Sequence, residues 1–439
     1  MRPQRSSVVA DDLARRIREG TLPAGARLPT HRELAHTYGI ALATATKVYR
    51  DLAAAGLVVG EPGRGTFVRD RSGFSGLEPR RLPRGSRVAD LSFNQPLAAE
   101  QNDLLRNALR DLSSEGDLGA LLLQPPPEGR ERDRAAVATY LLERGIDVAP
   151  RDVALTAGAQ QGVDAALGAV SAPGTVVAAD ALTYPGVKMS AAGHHLELAP
   201  VRTSADGLDV EHLRWWCAHR PVRVIYLIPT LHNPLGYVLD ESSRHRVVDL
   251  ARRHDLAIIE DGTYAFLEPE APPPLQTLAP ERTLYVGSMS KNLATGLRVG
   301  FVVTPPDHRD ALIRRLRTGS WGMAPLTAAL MRRWLTDGTV LRLEKLRRDD
   351  ARARQTLARD TLAGLDYRAH PGSYSGWLTL PEDSRADIAA RRLAEVGVLV
   401  STADAFSTGG AAPNALRLAL ATPTLDELAD ALRRIRQLV

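Results

Sequence analysis

A lysine set among hydroxyls, glycines and an arginine can do chemistry that a solvated lysine cannot. The stretch LYVGSMSKNLATGLRVGF places Lys291 with Ser288, Ser290 and Arg298 in a loop between two strand-like apolar runs. Two hydroxyls and a guanidinium suit a phosphate dianion. An amine partly withdrawn from water is also able to form a Schiff base with a carbonyl. The chain holds four lysines, Lys47, Lys188, Lys291 and Lys345. Lys47 falls in a basic N-terminal segment, Lys345 in a helix dense in charge, and Lys188 in TYPGVK with no phosphate-binding group beside it. Lys291 is therefore the candidate.

Three further stretches belong with that lysine. LTAGAQQGVDAAL reads as strand, glycine turn and helix, so the backbone amides of Gly158, Ala159 and Gln160 open a helix N-terminus that can hold a phosphate. IIEDGTYAFL puts Asp261 just after a buried strand and Tyr264 one turn further on. A carboxylate there either pairs with a protonated pyridine nitrogen, keeping the ring an electron sink, or caps a buried helix. IPTLHNPLG offers Asn233 to a phenolate oxygen, and TYPG offers Tyr184 as a plate against a ring. Together these describe a pocket for pyridoxal phosphate (PLP), held by Lys291 as an internal Schiff base. A single cysteine, Cys217, rules out an internal disulfide and any multi-cysteine metal site, so no metal is expected.

The elements that must position these residues can be read from periodicity. Short apolar runs (DVALTAG, GTVVAAD, VRVIYLIPT, LAIIED, RTLYVG, GFVVTP) alternate with amphipathic helices. This is an α/β pattern, and continuously apolar strands imply a mostly parallel sheet covered on both faces, with ligand groups at strand C-terminal ends. From about residue 324 long helices and then three more strands suggest a smaller lobe, so residues 89–439 form one two-lobed domain. Residues 71–88 mix Gly, Pro, Ser and Arg without apolar periodicity and read as a linker, either plainly solvated or following a DNA backbone through its arginines.

Residues 1–70 have a different texture. Val9, Leu13 and Ile17 repeat at helical spacing after Ser6 and Ser7, which read as the cap of a helix ending at Gly20. Thr30 and Glu33 form a capping box, and the helix it opens is ended by Gly39. A third helix from about Ala41 to Ala55 buries Ala45, Val48, Tyr49 and Leu52 and turns Thr44, Thr46, Lys47 and Arg50 outward. GLVVGEPGRGTFV closes the unit as a hairpin with Arg64 at its tip, where a cation could enter a minor groove. This is a helix-turn-helix with a wing, whose recognition helix would lie in a major groove.

Composition agrees. The 439 residues are 44% hydrophobic and 24% charged, a globular balance, and carry 56 basic against 51 acidic side chains for a net charge of +5. Eleven basic and seven acidic residues lie within 1–70, a local excess that favours a polyanionic partner. No run is long and apolar enough for a membrane span and the N-terminus lacks a secretory signal, so a cytoplasmic location is expected.

The head, from LPAGARLPTHRELA through LAAAGL to GRGTFV, resembles the winged helix-turn-helix of the GntR superfamily of bacterial regulators. The resemblance implies that Arg32, Lys47 and Arg64 contact DNA, with Thr44 and Thr46 near base edges or phosphates. Ala41 and Leu42 stand where that family often has Ser-Arg. Residues 89–439, through GAQ, TYPG, HNPLG, EDGTY and SMSKNLATGLRVG in order, resemble the class I aminotransferases of fold type I. That resemblance gives Lys291 the Schiff base, Asp261 the pyridine nitrogen, Asn233 and Tyr264 the phenolate, and Tyr184 the ring face. Ala159, Gln160, Ser288, Ser290 and Arg298 would hold the phosphate. Arg417 in NALRLAL would bind an effector carboxylate. Leu123 or Gln124 occupies the place of a tyrosine that in the family reaches the neighbouring subunit's phosphate.

Joined, the two parts resemble the MocR subfamily of GntR-type regulators. The implied protein is a PLP-dependent transcription regulator, a homodimer with head-to-tail arrangement, binding promoter DNA. It would sense an amino compound through an external aldimine, or a B6 vitamer through PLP occupancy. The rival expectation is a working class I aminotransferase carrying a DNA-binding head.

Overall fold

The computed structural model describes residues 5–19, 21–23, 26–54, 57–61, 65–68, 88–96, 100–204, 207–382, 384–409 and 412–439. Arg64 and all of the linker up to residue 87 lie outside the described residues.

In the head, helices span Arg5–Arg18, His31–Tyr38 and Leu42–Ala54, and strands Val58–Glu61 and Gly65–Val68 pair antiparallel. The first helix begins at Arg5, so Ser6 and Ser7 sit in its first turn and do not precede it as a cap. The capping box forms as expected: the Glu33 amide donates to Thr30 Oγ1 (3.3 Å) and the Thr30 amide to Glu33 Oε2 (2.7 Å). Gly39 ends the second helix with φ +58°, a conformation that costs glycine little. Leu13, Leu34, Val48, Leu52, Leu57 and Val68 pack into one core, which ties the wing to all three helices.

The body is built on a seven-stranded sheet: β1 (Val153–Thr156), β2 (Val176–Asp180), β3 (Glu197–Val201), β4 (Val222–Leu227), β5 (Ala257–Asp261), β6 (Thr283–Ser288) and β7 (Gly300–Val303). Their spatial order is β1-β7-β6-β5-β4-β2-β3. Only β7 runs antiparallel to its neighbours, so the sheet is mixed but mainly parallel. Apart from Arg223, the residues of β1, β2, β4, β6 and β7 are buried, as expected for strands covered on both faces. Val163, Leu167, Val177, Tyr226, Ile259 and Leu312 fill one face, and Leu213, Ile225, Val247, Leu250 and Ile258 the other.

A smaller antiparallel sheet, in the order 366–368, 375–379, 415–419, 401–402, carries Arg417 on its third strand. Helices Ala386–Glu395 and Leu425–Leu438 cover it. The 23-residue helix Thr339–Thr361 joins the two lobes: Val340 and Leu343 belong to the large-lobe core, Ala358 to that of the small sheet. Helix Pro325–Thr336, which the sequence grouped with the smaller lobe, packs Leu330, Met331 and Trp334 into the large-lobe core. Segment 89–91, in contrast, joins the small lobe, with Ala89 and Asp90 paired parallel to Val398 and Leu399.

Candidate cofactor site and DNA-binding face

The C-terminal ends of β2, β4, β5 and β6 converge on one region, and the chain leaving each strand supplies a functional group there. Asp261 ends β5. It is 4% exposed, accepts from Tyr226 Oη on β4 (2.8 Å) and accepts from the Thr263 amide (2.9 Å). Burial raises its pKa, and the Thr263 and Tyr226 hydrogen bonds oppose that rise. A buried carboxylate with both oxygens oriented is equipped to receive one more donor, such as a ring N–H. Tyr226 escaped the sequence reading because it looks like one more apolar residue in VRVIYLIPT.

The groups that could hold a phosphate come from two glycine turns that meet. Gly158 has φ +89° at the start of helix Ala159–Val170, whose first amides receive no side-chain cap. Arg298, itself left-handed at φ +54°, leans over this glycine so closely that a Cβ on Gly158 would lie 2.8 Å from Nη2. The two serines then divide their work. Ser288 Oγ donates to the Val299 carbonyl (3.1 Å) and accepts from the Ser290 amide (3.1 Å), bracing the loop. Ser290 Oγ is buried without a partner among the described residues, which leaves it for an anion. Gln160 Nε2 donates to the Gly186 carbonyl and to Ser190 Oγ (both 3.1 Å), tying the helix start to the TYPG turn. Gly186 is required there, since a Cβ would fall 1.9 Å from Gln160 Oε1 and 2.2 Å from the Tyr184 ring.

Lys291 follows β6. Its Nζ donates to the Asn94 carbonyl (2.6 Å) and lies 4.2 Å from the centroid of the Phe93 ring. Burial, with the Arg417 and Arg298 charges, brings its pKa from an ordinary 10.5 down to about 7, so a large fraction is the neutral, nucleophilic amine near neutrality. Tyr264 Oη accepts from Asn94 Nδ2 (3.4 Å). Asn233 Oδ1 is buried without a partner among the described residues. At the end of β2, Tyr237 Oη and Thr203 Oγ1 donate to Asp180 Oδ1 (2.8 and 3.0 Å), and His232 stacks on Tyr237 at 4.3 Å. Burial lifts the Asp180 carboxyl to about 7 and depresses His232 to about 3.

Arg417 reaches the same region from the small lobe. It is 3% exposed, its guanidinium lies 5.0 Å from the Phe406 ring centroid, and its Nε and Nη1 find no acceptor among the described residues. Unsatisfied buried donors cost about 1–3 kcal/mol each, so a site that keeps two of them on a cation is prepared for an anionic ligand. Asn94 and Phe93 were not expected from sequence, because their partners lie roughly 170 to 330 positions away and leave no local spacing signal.

On the head, Arg32, Thr46 and Arg50 are exposed, and Thr44 and Lys47 partly so. Thr46 Oγ1 donates to the Leu42 carbonyl (3.1 Å) and lies 3.2 Å from His31 Nδ1, bridging the two helices of the helix-turn-helix. Among the described residues no cluster of His, Cys, Asp or Glu could hold a metal, and no helix is long and apolar enough to cross a membrane.

Comparison with known proteins accounts for both parts. Residues 86–435 match the family described as aminotransferase class I and II, and residues 5–68 the bacterial regulatory proteins of the gntR family. The chain is 27% identical to the uncharacterized HTH-type transcriptional regulator YdeF of Bacillus subtilis, over 98% of this chain and 93% of that protein. It is 28% identical to the probable rhizopine catabolism regulatory protein MocR of Rhizobium meliloti, over 73% of this chain and 69% of the relative. Among solved structures, the α-aminoadipate aminotransferase LysN of Thermus thermophilus, complexed with N-(5'-phosphopyridoxyl)-L-leucine, aligns with a TM-score of 0.73 and 26% identity, covering 80% of this chain and 92% of that one.

Proposed function

Because this chain belongs to the class I and II aminotransferase family and carries a gntR-family head in front of that body, we propose that it is a cytoplasmic, MocR-type transcription regulator that binds PLP and answers to an amino compound. The observation that carries this reading is the head itself. A winged helix-turn-helix with Arg32, Thr46 and Arg50 exposed on its polar face has no use in transamination, and the match to a transcription regulator runs through head and body together.

The residues present fit PLP. Arg298, Ser290 and the amides at Gly158, Ala159 and Gln160 would hold the phosphate, Asp261 the pyridine nitrogen, Asn233 and Tyr264 the phenolate oxygen, and Lys291 the aldehyde carbon. Bound there, PLP supplies an electrophilic carbon that distinguishes primary amines from other metabolites. Arg417 binds a carboxylate on the same ligand, and Tyr184 fixes the ring from one side. Arg32, Lys47 and Arg64 contact DNA, with Thr44 and Thr46 beside them. Ligand binding changes DNA affinity only if the ligand prefers one arrangement of lobes and heads over another. A homodimer would present two heads to two half-sites.

The test follows the visible absorbance of the PLP-loaded protein while amino compounds are screened, then repeats binding to the DNA upstream of its own gene with each hit. A compound that changes both spectrum and DNA affinity in the wild type, and neither in Lys291→Ala, is the expected result. The rival reading, a working aminotransferase, is favoured by the completeness of the Lys291, Asp261 and Arg417 set. Sustained turnover of an amino donor with a keto acid, by a protein that ignores that DNA, would replace the regulator with the enzyme.

A further inference from the structure

The Lys291 amine makes its hydrogen bond across the lobes. Lys291 sits on the large lobe, at the exit of β6, and its acceptor, the Asn94 carbonyl, belongs to a segment that is part of the small lobe by hydrogen bonding. The Ala89 and Leu91 amides donate to Gly397 and Leu399 (both 2.8 Å), and the Ala419 amide donates back to the Leu91 carbonyl (2.7 Å). Ser401 Oγ donates to the Ser92 carbonyl (3.2 Å), the Gln95 amide to Thr422 Oγ1 (3.0 Å), and Thr422 Oγ1 to the Phe93 carbonyl. Asn94's own side chain completes the joint: Nδ2 donates to Ser375 Oγ (3.3 Å) and Oδ1 accepts from the Ala421 amide (3.2 Å). A carbonyl fixed on that many sides cannot shift without carrying the strands next to Arg417.

We propose that the Asn94 carbonyl and the Phe93 ring form a dock for the Lys291 amine after an incoming amine has replaced it on the cofactor, and that this dock reports the exchange to the small lobe. The inference rests on the PLP-binding regulator described above. In the exchange one C=N bond forms to the incoming nitrogen, the C=N bond to Lys291 Nζ breaks, and the two hydrogens of the incoming NH2 group pass to Nζ, with no change of oxidation state. Nζ then needs an acceptor within a partly buried pocket. The Asn94 oxygen supplies it at 2.6 Å, and the Phe93 ring face, 4.2 Å away, accommodates the protonated form. While Nζ is bonded to the cofactor it has fewer hydrogens to offer that carbonyl. Release of Lys291 therefore adds a tie between the lobes that does not depend on the rest of the ligand.

Hydrogen exchange of the full-length PLP-loaded protein reads the tie directly, using aminooxyacetate as probe. Its nitrogen competes for the cofactor and its carboxylate can engage Arg417. The amides of Ala89 and Leu91 should exchange about fivefold or more slowly once the probe has displaced Lys291. Lys291→Ala protein loaded with the preformed PLP-aminooxyacetate adduct contains the same ligand but no amine, and should show no such slowing. Phe93→Leu, checked for unchanged thermal stability, should show the cofactor's spectral change with a reduced slowing. Equal slowing in wild type and Lys291→Ala, or none in the wild type, would overturn the proposal. Slowing that requires Lys291 but leaves affinity for the upstream DNA unchanged would uphold the dock and remove the regulatory reading.

Discussion

Lys291 is a cation site made uncomfortable for a cation. Its neighbours Arg298 and Arg417 are both positive, and burial withholds water, so the amine's pKa falls to about 7 from 10.5. Between those values the unfolded chain holds a proton that the native, cofactor-free protein does not. Stability therefore rises with pH across that interval, by up to about 1.4 kcal/mol per unit from this one group, and the contribution is flat below it. Urea unfolding of cofactor-free wild type and Lys291→Met between pH 7 and 10 isolates the effect, because all other groups titrate alike in both. The wild-type curve should climb relative to the variant. Parallel curves would mean that Lys291 keeps an ordinary pKa and is not primed as a nucleophile. The same logic explains why the residue was legible in sequence. Its hydroxyl and guanidinium neighbours are local, within ten positions on either side, whereas the Asn94 acceptor is distant along the chain.

At the scale of elements, the site depends on two turns with positive φ approaching each other. Gly158 at +89° and Arg298 at +54° are separated along the chain by a whole α/β succession, yet the guanidinium of one closes over the bare Cα of the other. In Gly158→Ala the added carbon would meet Arg298 Nη2 at 2.8 Å and the backbone would be strained as well. Apparent PLP affinity, titrated by the visible band, should fall by about tenfold or more, a loss on the order of 1.4 kcal/mol. Unchanged affinity would show that the Arg298 and Gly158 pair does not grip the phosphate. Six of the seven sheet strands (all but Glu197–Val201), the glycine turns and the residues at strand ends were readable because each is written in a short stretch: an apolar run, a turn residue, a polar group. What was not readable follows from three-dimensional adjacency. Helix Pro325–Thr336 has the amphipathic pattern of any covering helix, and nothing local says that it covers the large lobe. Segment 89–91 is too short to signal that it will pair with Val398 and Leu399, some 309 positions later.

For the molecule as a whole, the folding of a single chain leaves an apolar surface exposed among the described residues. Short helix Leu118–Leu122 and the residue after it present Leu118, Leu122 and Leu123 at 49, 88 and 67% exposure. Trp321, 38% exposed, joins them through its indole N–H, which donates to the Pro125 carbonyl (3.0 Å). The segment is pinned and not free to fold its leucines inward: the Arg130 guanidinium donates to the Ala120 and Leu123 carbonyls. Leucines held outward on a braced helix mark a surface meant to be covered, and this is the stretch whose Leu123 or Gln124 occupies the place of a residue that, in the family it resembles, crosses to a second subunit. We propose a second copy of the chain as the cover, which would also bring two heads together for two half-sites. Sedimentation equilibrium of the wild type should give a dimer at micromolar concentration, and Leu122→Glu combined with Leu123→Glu should shift it toward monomer by about a hundredfold or more in Kd. The charged variant should keep its own core and its visible cofactor band, since neither leucine is buried in the monomer. Its binding to a two-half-site DNA should weaken much more than its binding to a single half-site. Equal loss on both would place the damage in the heads, and a wild type that sediments as a monomer would leave this leucine face to some other partner.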